Sequence, residues 1–253
     1  MWTVSAFIRS SRRSIIELTA KCGRLSTRER AQPVSTMSSA TDFWILGEPE
    51  TRDAQRRRAK WVQESLKYES IRCLVNPEHR RAGARISPLS VVLPNIEPHD
   101  FVWTPFECLI QESVLRFLQE AKLTGFEAVQ AETRFRNSLK PTPRFMELVV
   151  KGSAGLVSSE SGYRLLGICP GCEIIDNASK ITNPSKMVDR SKWDGSDFFQ
   201  VRPAEGLTFV TPHVVQVLNE AKFTGWKAYS PSELQDDLDT MIFVSSRGRS
   251  HMN

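Results

Sequence analysis

Apolar residues recur at helical spacing in two segments that lie one hundred residues apart. The segments are Val114–Ala128 (VLRFLQEAKLTGFEA) and Val214–Ala228 (VVQVLNEAKFTGWKA), and eight of their fifteen positions are identical. Each apolar stripe predicts an amphipathic helix of about three turns. Each helix is expected to stop before a glycine, Gly125 or Gly225, because glycine readily takes the left-handed conformation that ends helices. We interpret the repeat as two copies of one folding unit.

Short apolar runs flank both helices and predict strands. These runs are Cys108–Ile110, Phe126–Val129, Leu207–Val210 and Trp226–Tyr229. Each copy is therefore expected to form a strand–helix–strand unit, with a right-handed crossover if its strands are parallel. An Asp-Phe pair precedes each unit, at Asp100 and at Asp197. The predicted fold class is α/β (or α+β), with two related strand–helix–strand lobes that arose by internal duplication.

The rest of the pattern predicts further elements and a division of the chain. A first strand is expected at Asp42–Leu46, a helix at Thr51–Tyr68, and strands at Leu89–Leu93 and Phe145–Val150. The predicted segments are a disordered leader or mis-set start (1–37), a first lobe (38–150), a second lobe (151–235) and a flexible tail (236–253).

The formal net charge of +5 comes from the leader alone. Residues 1–36 carry seven basic and two acidic side chains, so the remainder of the chain is formally neutral. A neutral body argues against nucleic acid as a partner, because duplex affinity depends on cations that neutralise phosphates. The Arg- and Ser-rich leader is typical of a targeting segment or a disordered tail, or it precedes a true start at Met37.

No apolar run approaches the length of a membrane span, and no secretion signal is evident. Five cysteines in no regular framework favour a reducing compartment. We therefore expect a cytoplasmic protein without a membrane partner.

Cys169 and Cys172 form the chain's CxxC motif, Cys-Pro-Gly-Cys. A structural zinc ion needs four ligands, and Cys73 and His79 are the candidates to complete the set. Asn76 stands where a second CxxC motif would have its last cysteine. Three interpretations remain: a zinc site at these four residues, a remnant turn held by packing, and a redox-active thiol pair.

The segment Trp193-Asp194-Gly195-Ser196-Asp197-Phe198 has two interpretations of its own. Trp193, Asp194 and Asp197 could form a partner-binding surface, because tryptophan anchors often concentrate binding energy. Alternatively, Asp197 braces a turn while Trp193 packs between the lobes. The matching Asp100 in the first copy favours a role in the architecture.

The sequence predicts no catalytic residue. It contains no phosphate-binding loop, dinucleotide fingerprint, metalloprotease motif or nucleophile elbow. An enzyme or small-ligand protein would have to assemble its site in a cleft between the lobes, near Trp193, Asp194 and Asp197.

Three features together resemble the double-CxxCG family of myxobacterial proteins: CLVN at 73–76, ELVV followed by a loop and CPGC, and WDGSDFF before the second repeat. The likeness covers roughly Phe43 to Pro231. The chain departs from the family pattern at Asn76, Pro77 and Glu173, which stand in the places of a cysteine and two glycines.

The resemblance implies a non-catalytic protein-binding protein, in particular an immunity protein that neutralises a cognate bacterial toxin. The protein partner expected on this basis is a toxin. The alternatives are the small-ligand or enzyme site in the cleft and a zinc-ribbon-like structural adaptor.

Overall fold

The structure, a computed structural model, describes residues 43–63, 66–177 and 180–234. The predicted leader (1–37) and tail (236–253) lie outside the described residues. The described part mixes strands with a few helices, which confirms the predicted α/β (or α+β) class.

The described residues form three α-helices and sixteen strands. The helices are α1 (Arg52–Arg57), α2 (Glu112–Glu120) and α3 (Pro212–Ala221). The strands are β1 (Trp44–Gly47), β2 (Lys60–Trp61), β3 (Tyr68–Arg72), β4 (Arg80–Arg85), β5 (Ser90–Leu93), β6 (Phe101–Trp103), β7 (Cys108–Gln111), β8 (Phe126–Gln130), β9 (Glu132–Phe135), β10 (Phe145–Val150), β11 (Gly152–Leu156), β12 (Leu165–Ile168), β13 (Ile175–Asn177), β14 (Phe198–Arg202), β15 (Thr208–Val210) and β16 (Lys227–Tyr229). Short 3-10 helices cover Ser159–Ser161, Pro184–Lys186, Arg190–Lys192 and Pro231–Leu234.

Two sheets share one strand order around the two long helices. The first sheet runs β6-β7-β10-β8, and the second runs β14-β15-β1-β16 with β11 added beside β14. In both, the strands before and after the helix lie antiparallel to the strand between them. The two strands that flank each helix are therefore parallel to each other, but they are not neighbours, because another strand is inserted between them.

The two sheets also share one pairing register. In the first sheet Met146 lies opposite Ile110, and in the second Trp44 lies opposite Val210. Ile110 and Val210 are separated by one repeat length. Likewise, Leu148 lies opposite Ala128 and Leu46 lies opposite Ala228. The equivalence covers strands whose sequences show no obvious likeness, and descent from one duplicated segment stays a prediction.

Strand β1 belongs to the second sheet, although it comes before every strand of the first sheet in the chain. It falls within the predicted first lobe (38–150), yet it pairs with β15 and β16 from the predicted second lobe (151–235). Sheet membership therefore crosses the predicted lobe boundary.

Alternation along the strands divides the core into three clusters. Side chains of Phe101, Ile110, Phe198 and Val210 enter a central cluster with the helix residues. Their immediate neighbours point to the opposite faces, as expected for a period of two. The outer faces pack in two clusters, which include Leu109, Val102 and Phe145 for the first sheet and Ile45, Phe199 and Phe209 for the second.

Reciprocal contacts join the two repeats at the Asp-Phe pairs. The backbone N–H of Thr124 donates to Asp197 Oδ2 at 2.9 Å, and that of Thr224 donates to Asp100 Oδ2 at 2.8 Å. Each aspartate thus binds the helix-ending turn of the other repeat. Gly225, with φ +84°, completes one turn, and a Cβ there would lie 2.2 Å from the carbonyl oxygen of Phe101.

The predicted helix Thr51–Tyr68 is wrong beyond its first turns. Helix α1 begins as expected, because Thr51 Oγ1 accepts a hydrogen bond from the N–H of Ala54 at 3.1 Å. It ends at Arg57, and Trp61 then pairs with Val91 in a three-stranded sheet of order β2-β5-β9. Pairing with a distant strand overrides the local helical pattern.

Candidate metal centre

The four predicted ligands lie in the turns of two separate β-hairpins. Strands β3 and β4 form one hairpin, with Cys73 and His79 in its turn. Strands β12 and β13 form the other, with Cys169 and Cys172 in its turn. Backbone hydrogen bonds close both turns, from the N–H of Cys73 to the oxygen of His79 and from that of Cys169 to Ile174.

The structure brings the four side chains together into one cluster. One ligand atom from each of Cys73, His79, Cys169 and Cys172 lies within 4.8 Å of the others. The sulfurs of Cys73 and Cys169 are 3.5 Å apart, as are Cys172 Sγ and His79 Nδ1. Cys73 and Cys172 are buried, at 5% and 3% exposure. Three thiols and an imidazole with this spacing could hold a metal ion.

Each hairpin turn directs backbone N–H groups at the sulfur of its first cysteine. Hydrogen bonds from the N–H groups of Asn76 and Val75 lower the pKa of Cys73. Those of Gly171 and Cys172 lower the pKa of Cys169 in the same way. These bonds favour the thiolate, which is the form that binds metals.

The pKa of Cys172 is shifted in the opposite direction to those of Cys73 and Cys169. Burial raises its pKa, because the apolar surroundings disfavour the charged thiolate, and the neighbouring Cys73 and Cys169 act in the same direction. A metal cation would reverse this effect, since coordination deprotonates a thiol.

The side chain of Asn76 lies beside the imidazole of His79. Its side-chain nitrogen lies 3.1 Å from His79 Nε2, which leaves Nδ1 to face the cysteines. Its side-chain oxygen accepts a hydrogen bond from the N–H of Glu78 at 3.0 Å. A metal ion on Nδ1 would leave the ring proton on Nε2, so the Asn76 amide would have to turn its oxygen toward the ring to accept that proton. The Asn76 side chain therefore contacts the candidate ligand His79.

Gly171 in the second turn allows the two hairpins to approach closely. A Cβ on Gly171 would lie 2.7 Å from Val75 Cγ2 and 3.0 Å from Cys73 Sγ. Glu173 has a left-handed backbone with φ +58°, a conformation that glycine adopts more readily.

Two arginines connect the hairpins to the main sheets. Arg85 on β4 forms a partly buried ion pair with Glu147 on β10. Arg202 at the end of β14 donates to the backbone oxygen of Glu173 at 3.0 Å. The sequence pattern gave no indication of either contact, because the partners are far apart in the chain.

The predicted partner-binding residues Trp193, Asp194 and Asp197 make internal contacts. Trp193 packs against Phe43 with ring centroids 5.1 Å apart. Asp194 accepts hydrogen bonds from the N–H groups of Ser153 and Ser196. Asp197 binds Thr124 of the first repeat, as described above. These contacts give all three residues an architectural role, and partner binding at them stays a prediction.

No family model matches the chain, and no curated protein matches it either. Within the described ranges, none of the helices has the length and apolar character needed to cross a membrane.

Proposed function

We propose that this chain is a non-catalytic protein-binding protein, built around a structural zinc ion at Cys73, His79, Cys169 and Cys172. The observation that carries the zinc assignment is the convergence of four ligand atoms within 4.8 Å. Tetrahedral zinc, with bonds of about 2.3 Å to sulfur, spaces its ligand atoms by about 3.8 Å. The two distances of 3.5 Å within the cluster are close to that value. Thiolates and imidazole are also ligands that suit zinc.

The ligand count supports a structural rather than a catalytic ion. A catalytic zinc ion keeps an open position for water or substrate, whereas four protein ligands fill a tetrahedral shell. Isolated two-stranded hairpins are marginally stable in water. The ion would therefore fix the hairpin β3–β4 against β12–β13 and stabilise both.

Exposed apolar side chains on these hairpins support protein binding. Leu74 in the first turn is 96% exposed, and Leu166 on β12 is 66% exposed. Leucine side chains as exposed as these are candidates for contact with a protein partner. The resemblance to the double-CxxCG family makes a toxin the proposed partner and immunity the proposed role.

Metal analysis of the purified chain tests the zinc site. We expect about one zinc ion per chain, and substitution of Cys172 by Ser or His79 by Ala should remove it. Cys108→Ser is the matched control, because Cys108 is buried but lies outside the cluster. A wild-type chain with less than about a tenth of an equivalent of zinc, purified without chelators, would contradict the assignment.

Co-expression with a toxin encoded beside the gene tests the proposed role. The wild-type chain should protect cells and co-purify with the toxin, whereas Leu74→Asp combined with Leu166→Asp should lose both effects. Leu139→Asp is the control, because Leu139 is fully exposed but lies on neither metal-bearing hairpin. Protection that survives the double substitution would exclude this surface. A lack of protection by the folded wild-type chain would refute immunity against that toxin.

A further inference from the structure

Asn76 contacts both candidate metal ligands of the first hairpin turn. Its backbone N–H donates to Cys73 Sγ at 3.2 Å, and its backbone oxygen accepts a hydrogen bond from the N–H of His79 at 3.0 Å. Its side-chain nitrogen lies 3.1 Å from His79 Nε2. A single residue of the turn therefore touches the thiol of one candidate ligand and both the backbone and the ring of the other.

Metal binding would bring two hydrogen-bond donors to the side chain of Asn76. Its oxygen already accepts from the backbone N–H of Glu78 at 3.0 Å. His79 Nδ1 lies 3.5 Å from Cys172 Sγ, so Nδ1 is the ring nitrogen that faces the cluster. A ring that binds a metal ion through the lone pair of Nδ1 carries its proton on Nε2. Asn76 would then face the N–H of Glu78 and the Nε2–H of His79 together.

An amide side chain cannot accept from both donors in this geometry. Asparagine has one side-chain oxygen, and its side-chain nitrogen only donates. With the oxygen toward Glu78, as in the structure, the NH₂ group points at His79 Nε2 and suits a ring without a proton there. With the amide turned over, the oxygen meets the ring, and the NH₂ group faces the N–H of Glu78. Either orientation therefore loses one of the two hydrogen bonds.

We propose that Asn76 is a positioning residue of the zinc site and that its amide turns over when the ion binds. The turned oxygen accepts from His79 Nε2–H and holds the ring with Nδ1 toward the ion, while the bond from Glu78 is lost. Acceptors behind a histidine ligand raise the metal affinity of a site. This inference rests on the zinc ion proposed above, and it adds a residue that sets how tightly the ion is held.

An aspartate at this position should hold zinc more tightly than asparagine does. A carboxylate has two acceptor oxygens and no donor. In Asn76→Asp, one oxygen would keep the bond from the N–H of Glu78, and the other would accept from His79 Nε2–H. Asn76→Ala removes both acceptors and leaves the ring of His79 without its partner. The two variants should therefore change the zinc affinity in opposite directions.

Competition with a zinc-binding dye measures the affinity of the full-length chain and its variants. We expect Asn76→Asp to bind zinc about tenfold more tightly than the wild type, and Asn76→Ala to bind it about tenfold more weakly. Leu74→Asp is the control, because it adds the same charge to the same turn on a side chain that is 96% exposed. It should change the affinity by less than about threefold, since solvent screens an exposed charge.

The orientation of the amide has a readout of its own. Zinc titrated into the ¹⁵N-labelled wild-type chain should shift the side-chain NH₂ signals of Asn76. Long-range ¹H–¹⁵N couplings within the ring should show His79 protonated on Nε2 in the zinc-bound state. The ring of His99, which contacts Asp53 outside the cluster, should not change and provides the internal reference.

Two results would overturn the positioning role while leaving the zinc site in place. The first is a zinc affinity of Asn76→Asp that equals the wild-type value or rises no more than that of Leu74→Asp. The second is bound zinc with the proton of His79 on Nδ1. A gain of affinity cannot come from a misfolded variant, so Asn76→Asp decides the matter even if Asn76→Ala fails to fold. A wild-type chain that binds no zinc would refute the metal site and this inference together.

Discussion

Asp100 Oδ2 accepts hydrogen bonds from both the backbone N–H and the hydroxyl of Thr224, at 2.8 and 2.7 Å. Asp197 makes the corresponding pair of bonds with Thr124, at 2.9 and 3.0 Å. In addition, each threonine hydroxyl oxygen accepts a bond from the backbone N–H of the aspartate it faces, at 3.2 Å. The two repeats are therefore joined by a twofold set of identical contacts.

Replacement of Asp100 by Ala should lower the free energy of unfolding by about 1–3 kcal/mol, because the carboxylate accepts two hydrogen bonds. Asp197→Ala should cost at least as much, since Asp197 Oδ1 also accepts from the hydroxyl of Thr211 at 3.0 Å. Urea unfolding measures both values. Glu120→Ala, at an exposed position of α2, is a control that should change little. A neutral result for both aspartates would show that the reciprocal contacts add nothing to stability.

The ion pair of Arg85 and Glu147 gives a second prediction, because the two side chains are only 15% and 9% exposed. Glu147→Ile alone should destabilise the chain by about 3 kcal/mol, since it leaves a partly buried arginine without its partner. The register makes isoleucine a suitable choice, because Ile45 occupies the equivalent position of the second sheet.

Addition of Arg85→Met should recover most of that loss, since an apolar pair can replace a buried ion pair at little cost. Thermal unfolding of the two single variants and the double variant forms the test. A double variant as unstable as the sum of the single variants would show that the pair is not coupled.

Backbone strain at Glu173 gives a third prediction. With φ at +58°, a side chain is disfavoured, and glycine should relieve the strain. Glu173→Ala removes the 3.3 Å contact between Arg202 and the carboxylate but keeps the Cβ atom. Glu173→Gly should therefore be about 1 kcal/mol more stable than Glu173→Ala, when both are measured with the same zinc content. The opposite order would mean that the loop relaxes to another conformation.

Asp194 gives a prediction for the dependence of stability on pH. Burial raises its pKa, but hydrogen bonds from Ser196 and from the N–H of Ser153 outweigh that effect and hold the pKa below 3.8. A lowered pKa in the folded state stabilises the fold above pH 3.8, and the contribution disappears as the pH falls through the folded value.

Asp194→Asn should therefore destabilise the chain near neutral pH by about 1 kcal/mol or less, because Asp194 is exposed and solvent screens its interactions. The difference from wild type should shrink as the pH falls below 3.8. Unfolding curves at a series of pH values would show this, and a difference that stays constant with pH would contradict the assignment.

Helices α2 and α3 and their flanking strands were predictable because the apolar pattern that specifies each element lies within the element itself. Apolar periodicity located α2 and α3, and the strand Phe145–Val150 was predicted with the bounds that the structure has. The cluster of cysteines and histidine was predictable in part, because chemistry limits which residues can complete a set of metal ligands with Cys169 and Cys172.

The errors share one physical origin, which is contact between distant segments. Nothing near Trp44 indicates that it pairs with Val210, and nothing near Trp61 indicates its pairing with Val91. The hydrogen bond from Trp61 Nε1 to Glu107 at 2.6 Å is also long-range. The inserted middle strands of both sheets and the early end of α1 all follow from such pairings.

The position of β1 in the second sheet determines when that sheet can fold during synthesis of the chain. This strand is among the first described segments to leave the ribosome, yet its neighbours β15 and β16 are among the last. The middle of the second sheet stays open until β15 and β16 have been made, and closing it joins the two ends of the described part of the chain. A nascent chain that stops before Val210 would expose an unpaired apolar strand, so truncated products should depend on chaperones far more than the finished protein does.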